Sequence, residues 1–439
     1  MPIMKEKQKS FWLEDDLFPL SFEPLQEDLQ VDVCIIGGGF TGLSTAIHLK
    51  EKDPDLKIAI LEAETIGYGA SGRNAGFSMR LFGISLEITK MRHGLKRTKA
   101  ANEYMVDAVH YLEELIKKYH IDCDYRKEGM ITVASSKKEL KNLRKEMKLA
   151  VKMGFDGLTW LDEQATRQVV NSPTYLAAIY DEHCALLHPA KLVKGLAKVA
   201  HTLGVNIYEK TRVVHVDVQE KIVQTEKHKV QAKKISFATN AYSSFYPELA
   251  KKQIPIYTYI TLTEPLNDEQ LSLLNWNRRV GIEDARNFLH YYRLTPDNRL
   301  LFGGSEAFYY YGSPLDKDKN EEMNQMLQQN LLNIFPQLKG IRFTHHWGGP
   351  ISATLDFIPN IGQVAEDVWY SMGCIGHGVS LTNYNGLTLA ELILGEKSKR
   401  TEQFFINRRI VSIPPEPIRY ATITAIRSLL RLEDRLGER

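Results

Sequence analysis

Three glycines near the start of the chain have the spacing of a phosphate-binding turn. Gly37, Gly39 and Gly42 satisfy the pattern G-x-G-x-x-G and come directly after the apolar segment 31–36. In such a turn the first glycine permits a tight bend, the second lets a pyrophosphate approach the backbone, and the third lets a helix pack closely on a strand. A helix that begins at Phe40 would direct its first N–H groups toward the phosphates.

An acidic residue stands where a dinucleotide fold needs one. Glu62 lies 20 residues beyond Gly42, at the end of the apolar segment 57–62. From this position a carboxylate accepts hydrogen bonds from an adenosine ribose. The strand 31–36, the helix 40–52 and the strand 57–62 form one βαβ unit, whose crossover should be right-handed. These features predict a dinucleotide site, but they do not separate FAD from NAD.

A second glycine-rich segment, 67–76, is predicted to be a loop whose backbone approaches a ligand closely. It contains four glycines interleaved with Ser71, Arg73 and Asn74. That glycine content is unsuited to a helix or a central strand. The alternative is a surface loop, which rarely needs so many glycines.

These segments resemble those of a known family. Segment 67–76 is similar to the G-A-S-G-R-N-x-G loop of the D-amino-acid oxidase superfamily. Segment 373–380 is similar to the G-x-x-G-H-G segment of glycine and sarcosine oxidases and of the gamma-glutamylputrescine oxidase-like branch, which the motifs match most closely. The resemblance extends over most of the chain, through segments 11–13, 238–241, 301–304, 347–349 and 413–417.

The resemblance implies an FAD-dependent oxidoreductase that acts on amines. A primary or secondary amine or an amino acid would lose a hydride to flavin N5, and the resulting imine would hydrolyse. In related proteins the first loop lies along the pyrophosphate and the flavin, and the helix that begins near residue 379 faces the pyrimidine end of the ring. A helix N-terminus there would stabilise the negative charge of reduced flavin.

The resemblance implies that residues from six segments hold FAD noncovalently. They are Gly37, Gly39, Phe40, Thr41, Gly42, Glu62, Ala63, Gly69, Ala70, Ser71, Arg73, Asn74, Val213, Val214, Thr239, Asn240, Gly376, His377, Gly378, Val379 and Ser380.

Arg73, His377 and Tyr291 are the candidates for catalysis. Arg73 would influence the flavin or the substrate, or it would merely brace its loop. His377 would lie near the flavin or be a satisfied structural histidine. Tyr291 is one of four tyrosines, with Tyr257, Tyr259 and Tyr292, that could line a pocket in which desolvation disfavours an ammonium ion. Tyrosines in a sheet are more often packing residues.

Two departures from the sarcosine oxidases affect the chemistry. Those enzymes carry a lysine near the flavin that promotes reaction with oxygen, whereas segment 299–303 contains no lysine. The acceptor is therefore oxygen or another group, and two alternatives to an amine oxidase stay open. One is an amine dehydrogenase that passes electrons to a protein or quinone, and the other is a flavin-binding subunit of a larger complex. Segment 346–354, opposite their covalent attachment site, contains no cysteine, which predicts noncovalent FAD.

Composition limits the other classes of function. The 439 residues carry a formal net charge of +2, which favours no nucleic-acid partner. Four scattered cysteines fit neither a metal site nor a disulfide framework. Segment 1–30 has no apolar stretch of signal-peptide length, and no window approaches the roughly 20 apolar residues of a membrane span. We expect a cytoplasmic enzyme with a small-molecule amine substrate.

The elements that position these residues predict an α/β fold with two domains. A Rossmann-type FAD-binding domain with a ββα extension is expected in three pieces. The second domain is an α+β substrate domain built on a large mixed or antiparallel sheet. The expected boundaries are 30–90, 186–243 and 345–398 for the first domain and 91–185 and 244–344 for the second.

The segment 399–439 is predicted to be a C-terminal extension with an amphipathic helix. Apolar residues alternate with arginines from residue 418 to 436, and a basic amphipathic helix of this kind can lie on a membrane or a partner. Most amphipathic helices instead bury their apolar face in their own protein, and we expect that here. The residues concerned are Ile426, Leu429, Leu430 and Leu436, with Arg419, Arg427, Arg431 and Arg435 between them.

Overall fold

The computed structural model describes residues 10–14 and 20–437, so part of segment 1–30 and residues 438–439 lie outside it. The helices of the described residues are, in chain order, α1 (Phe11–Glu14), α2 (Phe40–Lys52), α3 (Leu86–Lys118), α4 (Lys137–Lys152), α5 (Glu163–Val169), α6 (Pro189–Thr202), α7 (Asp268–Leu274), α8 (Glu321–Ile334), α9 (Gly378–Leu394) and α10 (Ile418–Gly437). The strands are β1 (Leu29–Ile36), β2 (Ile58–Leu61), β3 (Phe77–Ser78), β4 (Met130–Ala134), β5 (Leu158–Leu161), β6 (Ala177–Asp181), β7 (Ala185–Leu186), β8 (Asn206–Tyr208), β9 (Val213–Asp217), β10 (Ile222–Thr225), β11 (Lys229–Phe237), β12 (Ile254–Pro265), β13 (Gly281–Asp284), β14 (His290–Leu294), β15 (Arg299–Phe308), β16 (Phe343–Ala353), β17 (Asn360–Ala365) and β18 (Val368–Met372).

The first large sheet has the strand order β17-β18-β11-β1-β2-β8, and the β9–β10 hairpin is attached to β11. Strand β1 pairs in parallel with both β2 and β11. Its side chains alternate between two buried faces. Val33 and Ile35 pack in the layer formed by α2, α6 and α9, whereas Cys34 and Ile36 pack toward the hairpin. A continuous apolar strand is required because both faces are covered.

The second large sheet has the order β16-β12-β15-β14-β13-β4-β6-β5. Only the β13–β4 pair among its described strands is parallel, so the sheet is mixed. One face packs on α8, and the other approaches the glycine-rich loops of the first sheet. The predicted fold class is therefore confirmed, while the residue boundaries of the two domains stay a prediction.

Local sequence explains where several elements begin and end. The predicted helix 40–52 is confirmed as α2. Helix α3 is long, and its backbone breaks at Gly94 with φ 79°. The short helix α7 lies between strands β12 and β13. Its capping box is formed by Asn267 and Gln270, a signal that stabilises one helical turn between strands.

The C-terminal helix α10 contacts the second sheet through its charged face. Arg427 and Arg431 both pair with Glu306, a nearly buried carboxylate that needs a cation. Asp434 accepts hydrogen bonds from the backbone N–H groups of residues 287 and 288. The expectation that the apolar face packs on the protein is therefore wrong for most of this face, since exposed positions include Ile426, Leu429 and Leu432. The side chains of Arg435 and Leu436 lie outside the described part.

No helix within residues 10–14 and 20–437 combines the length and apolar character that crossing a membrane requires.

Candidate active site

Four segments that the sequence singled out meet at the carboxyl end of β1. Ser71 in the second glycine loop accepts a hydrogen bond from the backbone N–H of Phe40 at 3.0 Å. A Cβ atom on Gly37 would lie 2.8 Å from the carbonyl oxygen of Ala238, just before Thr239. The Sγ atom of Cys374 lies 3.6 Å from Oδ1 of Asn240. Glycine loops from distant parts of the chain therefore surround one space.

The turn at residues 37–42 has the geometry of a phosphate cradle. Gly37 has φ +111°, which favours glycine, and a Cβ on Gly42 would lie 2.1 Å from the carbonyl oxygen of Gly37. Helix α2 begins after Gly39, which has no capping side chain of its own, while Ser71 accepts the N–H of Phe40. The next N–H groups of the first turn stay available as donors for an anionic ligand. The residues present therefore fit a dinucleotide pyrophosphate.

Glu62 lies beside this turn, as the motif predicts. Its two carboxylate oxygens accept hydrogen bonds from the backbone N–H groups of Gly38 at 2.8 Å and Glu64 at 3.0 Å. Burial raises the pKa of Glu62 to about 7. A carboxylate offers about four lone-pair positions, so Glu62 retains acceptor positions for two ribose hydroxyl groups.

Replacing Glu62 by glutamine is expected to weaken FAD binding by about 10- to 150-fold. The carboxylate would make charge-assisted hydrogen bonds, each worth roughly 1.5 to 3 kcal/mol. Glu64 provides a matched control, because it pairs with Arg212 at 2.7 Å and is partly exposed. Titration followed by flavin fluorescence should show a weakened Glu62→Gln variant and a nearly unchanged Glu64→Gln variant. Equal affinities in the two variants would show that Glu62 does not hold the ribose.

His377 lies at the start of α9, the second long helix that begins at the site. Its side chain does not cap this helix. The Nδ1 atom of His377 is buried without a hydrogen-bond partner among the described residues. Burial lowers the pKa of His377 to about 4, so the imidazole is neutral at ordinary pH. Ser380, one turn on, donates a hydrogen bond to the carbonyl oxygen of Met79, which attaches the helix start to β3.

Arg73 is buried, and its Nε and Nη1 atoms contact protein groups. It donates to the carbonyl oxygens of Tyr68 at 2.7 Å and Gly348 at 3.1 Å. Its guanidinium also pairs with Asp318 at 3.1 Å. Both members of this pair are about 5% exposed or less. Of the two alternatives for Arg73, this geometry favours bracing: the arginine ties the second glycine loop to β16 of the other sheet.

Tyr291 lies on the face of the second sheet that approaches the glycine loops. Its ring lies over Gly303 of the adjacent strand, where an added Cβ would come within 2.5 Å of the ring. The side chain of Thr258 lies close to its hydroxyl. Tyr291 packs on the ring of Phe77, and part of its side chain stays accessible to water. It therefore borders a space beside the glycine loops, here called the cavity.

The other three tyrosines do not reach this cavity. Tyr257, Tyr259 and Tyr292 are buried on the opposite face of the sheet, packed with the residues of α8. Strand alternation places Tyr291 and Tyr292 on opposite faces. An aromatic pocket formed from all four residues is therefore excluded, and the packing alternative is correct for three of them.

Several residues at the site gave no signal in the sequence. Arg293 is buried and donates to the carbonyl oxygens of Ala75, Gly76 and Leu187. Burial lowers the pKa of Arg293 to about 9. Such residues have no motif, because they are brought together by sheet register rather than by spacing. They include Thr258, Glu283, Arg293 and Asp318.

The adenine-side candidates lie at the edge of the site. Thr211 donates its backbone N–H to the carbonyl oxygen of Glu62 at 2.8 Å, which places β9 near the ribose position. Val213 is buried in the core and Val214 is 38% exposed. Backbone contact from these two valines stays a prediction, as do the other individual FAD contacts.

The glycine turn 37–42, Glu62 and the N-termini of α2 and α9 meet between two sheets. This arrangement defines a class of dinucleotide-binding protein. The first sheet carries the features of a dinucleotide-binding domain, and the second sheet closes over the same site with a cavity. A two-domain protein of this kind is built to hold a dinucleotide against a second ligand.

Comparison with known proteins identifies the family. Residues 32–392 match the family model DAO, FAD dependent oxidoreductase. The chain is 35% identical over 399 residues to gamma-glutamylputrescine oxidoreductase of Escherichia coli strain K12, covering 90% of this chain and 91% of that protein. It is 22% identical to glycine oxidase of Bacillus subtilis strain 168, covering 83% of this chain and 94% of that protein.

A solved structure shares the fold. The crystal structure of glycine oxidase from Geobacillus kaustophilus superposes with a TM-score of 0.73 at 18% identity, covering 87% of this chain and 100% of that chain. The chain belongs to the DAO family of FAD-dependent oxidoreductases. Its cofactor is FAD, as the resemblance implied.

Proposed function

We propose that this chain oxidises a primary or secondary amine or an amino acid at the carbon next to nitrogen, giving an imine that hydrolyses. When bound, the flavin supplies a two-electron acceptor for this chemistry. The observation that carries the proposal is the partly accessible face of the second sheet beside the glycine loops, where Tyr291 lies. The names of the relatives, a gamma-glutamylputrescine oxidoreductase and a glycine oxidase, support an amine or amino-acid substrate.

The cavity suits a neutral amine at the reacting position. A protonated amine has no lone pair to assist loss of hydride from its neighbouring carbon. Tyr291 and the half-buried Ile351 present apolar surface, and desolvation there disfavours the ammonium form. His377 is neutral, so it adds no charge to the site. In this proposal, Tyr291 and His377 contact the substrate or cofactor, whereas Arg73 is a positioning residue.

FAD is proposed to be held noncovalently by the residues named from the resemblance. The nearest thiol is Cys374, in the loop before α9. Burial raises its pKa, so it remains a protonated, weakly nucleophilic thiol. The cradle belongs to the proposed FAD-binding domain 30–90, 186–243 and 345–398, and the cavity face belongs to the proposed substrate domain.

The proposal predicts that an amine reduces the flavin in the absence of oxygen. A panel of primary amines, secondary amines, amino acids, alcohols and 2-hydroxy acids would be mixed anaerobically with the FAD-loaded protein. We expect an amine to bleach the flavin absorbance, with a rate that rises with pH as the amine loses its proton. Bleaching by alcohols or 2-hydroxy acids alone would refute the amine assignment and leave the family and cofactor intact.

Turnover assays on the same FAD-loaded protein distinguish between the possible electron acceptors. An oxidase would turn over the amine in air, whereas a dehydrogenase would need a dye or quinone. The absence of lysine from residues 299–303 supports testing the dehydrogenase first. A flavin-binding subunit of a larger complex would show no turnover with any acceptor.

A further inference from the structure

Glu283 is a carboxylate on the cavity face of the second sheet. It lies in β13 directly across from Tyr291 of β14. Alternation along β13 places Glu283 on the same face as Gly281, where an added Cβ would come within 2.6 Å of the ring of Phe77. Ile282, between them, packs in the core on the opposite face. Glu283 therefore faces the glycine loops.

The side chain of Glu283 keeps accessible surface. Like Tyr291, it is only half-buried. Cross-strand neighbours on one face have Cβ atoms about 4.5 to 5.5 Å apart. Glu283 and Tyr291 therefore line the same cavity.

Glu283 has no cationic partner within the described part of the chain. Its hydrogen bond comes from the hydroxyl of Thr132 at 3.2 Å. The nearby cations serve other acids: Arg80 bonds Asp181 at 2.6 Å. The neighbouring Asp284 is likewise occupied, since it contacts His290 at 2.7 Å and Arg286 at 3.3 Å. Even a half-buried carboxylate is destabilised when no cation is near it, and desolvation raises the pKa of Glu283 to about 7.

The chemistry of amine oxidation decides which cation suits this position. A carboxylate stabilises the protonated form of an amine beside it. The reacting amine must instead be neutral. An ammonium group held at Glu283 is therefore one that does not react, at another position on the same substrate.

We propose that Glu283 forms an anionic subsite for a second, non-reacting ammonium group, so that the preferred substrates are amines with a cationic chain, such as diamines and their derivatives. This inference rests on the proposed amine oxidation and names its substrate class. Glu283 is a specificity-determining residue in this view. Thr132 orients its carboxylate.

The test compares two ligands of equal chain length on the FAD-loaded protein. 1,4-Diaminobutane ends in a second ammonium group, whereas 4-amino-1-butanol ends in a neutral hydroxyl. Anaerobic calorimetric titration of the protein with its FAD already reduced measures their binding without a contribution from oxidation. The native protein should bind the diamine more tightly. Glu283→Gln should weaken diamine binding about 10- to 150-fold, the loss expected for a charge-assisted hydrogen bond, and change amino-alcohol binding less than about threefold.

Two further variants serve as controls. Glu182→Gln removes one negative charge from an exposed position near the same sheet and should leave the preference intact. Glu283→Asp keeps the charge and should retain part of the preference, which also covers the case in which the glutamine variant fails to fold. Unchanged diamine affinity in Glu283→Gln, an equal loss for both ligands, or no preference in the native protein would overturn the proposal.

The outcomes separate this inference from the proposed function. If the diamine preference exists and depends on Glu283 while no amine bleaches the flavin, amine oxidation fails and the cation subsite stands. If amines bleach the flavin with no dependence on Glu283, amine oxidation stands and the subsite fails.

Discussion

Replacing Gly39 by valine is expected to abolish FAD binding in a protein that still folds. A Cβ at this position would lie 2.9 Å from Oγ of Ser71, and the two methyl groups of valine would occupy the space where a pyrophosphate meets the backbone. The absorbance of the purified variant should lack the flavin bands, while its circular dichroism should match that of the native protein with FAD removed.

Alanine at Gly39 provides the graded control. Its single methyl group contacts only the flexible Ser71 side chain, so flavin content should fall partially. Normal flavin content in a folded Gly39→Val variant would place the pyrophosphate elsewhere.

Replacing Arg73 by methionine is expected to lower the free energy of unfolding by about 3 to 5 kcal/mol. That is the usual cost of removing one partner from a buried ion pair, because the remaining charge is left without compensation. The remaining charge is that of Asp318, which is 5% exposed. The two carbonyl oxygens of Tyr68 and Gly348 also lose their donor. Urea unfolding of the FAD-free protein measures the effect without a contribution from cofactor binding.

A double variant separates the ion pair from the other roles of Arg73. Arg73→Met combined with Asp318→Leu removes both charges and should recover much of the lost stability, since apolar pairs often replace buried ion pairs well. A single variant within about 1 kcal/mol of the native protein would contradict the bracing role. If Arg73→Lys retains stability and FAD but reduces flavin much more slowly, Arg73 acts directly on the reaction.

Some features of this protein were predictable because they depend only on residues that are close together in the sequence. The turn at Gly37, Gly39 and Gly42 depends on backbone geometry within six residues. Glu62 follows at a distance set by one helix and one strand. The sequence pattern therefore predicted α2 and the strands beside it, and the family resemblance supplied the cofactor. The long stretches of chain between the glycine segments gave no information on how closely those segments meet.

The cavity depends on strand register, which the sequence did not determine. Tyr291 and Tyr292 are equivalent by residue type, and a shift of one residue in pairing would exchange their faces. The register places Tyr291 over Gly303 and Glu283 beside it. The pairing of Arg73 with Asp318 joins residues far apart in the chain, and no spacing rule connects them.

The sequence by itself determined the FAD-dependent class, the glycine cradle and the βαβ unit around it, because each follows from residues a few positions apart or from whole-chain resemblance. Only the tertiary structure decided that Arg73 is paired, that three of four tyrosines pack away from the cavity, and that α10 presents its apolar residues to solvent. The physical reason is the same in each case. Partners from other helices and strands determine which charges and which faces become buried. Burial in turn determines whether a carboxylate such as Glu283 or Glu306 needs a cation.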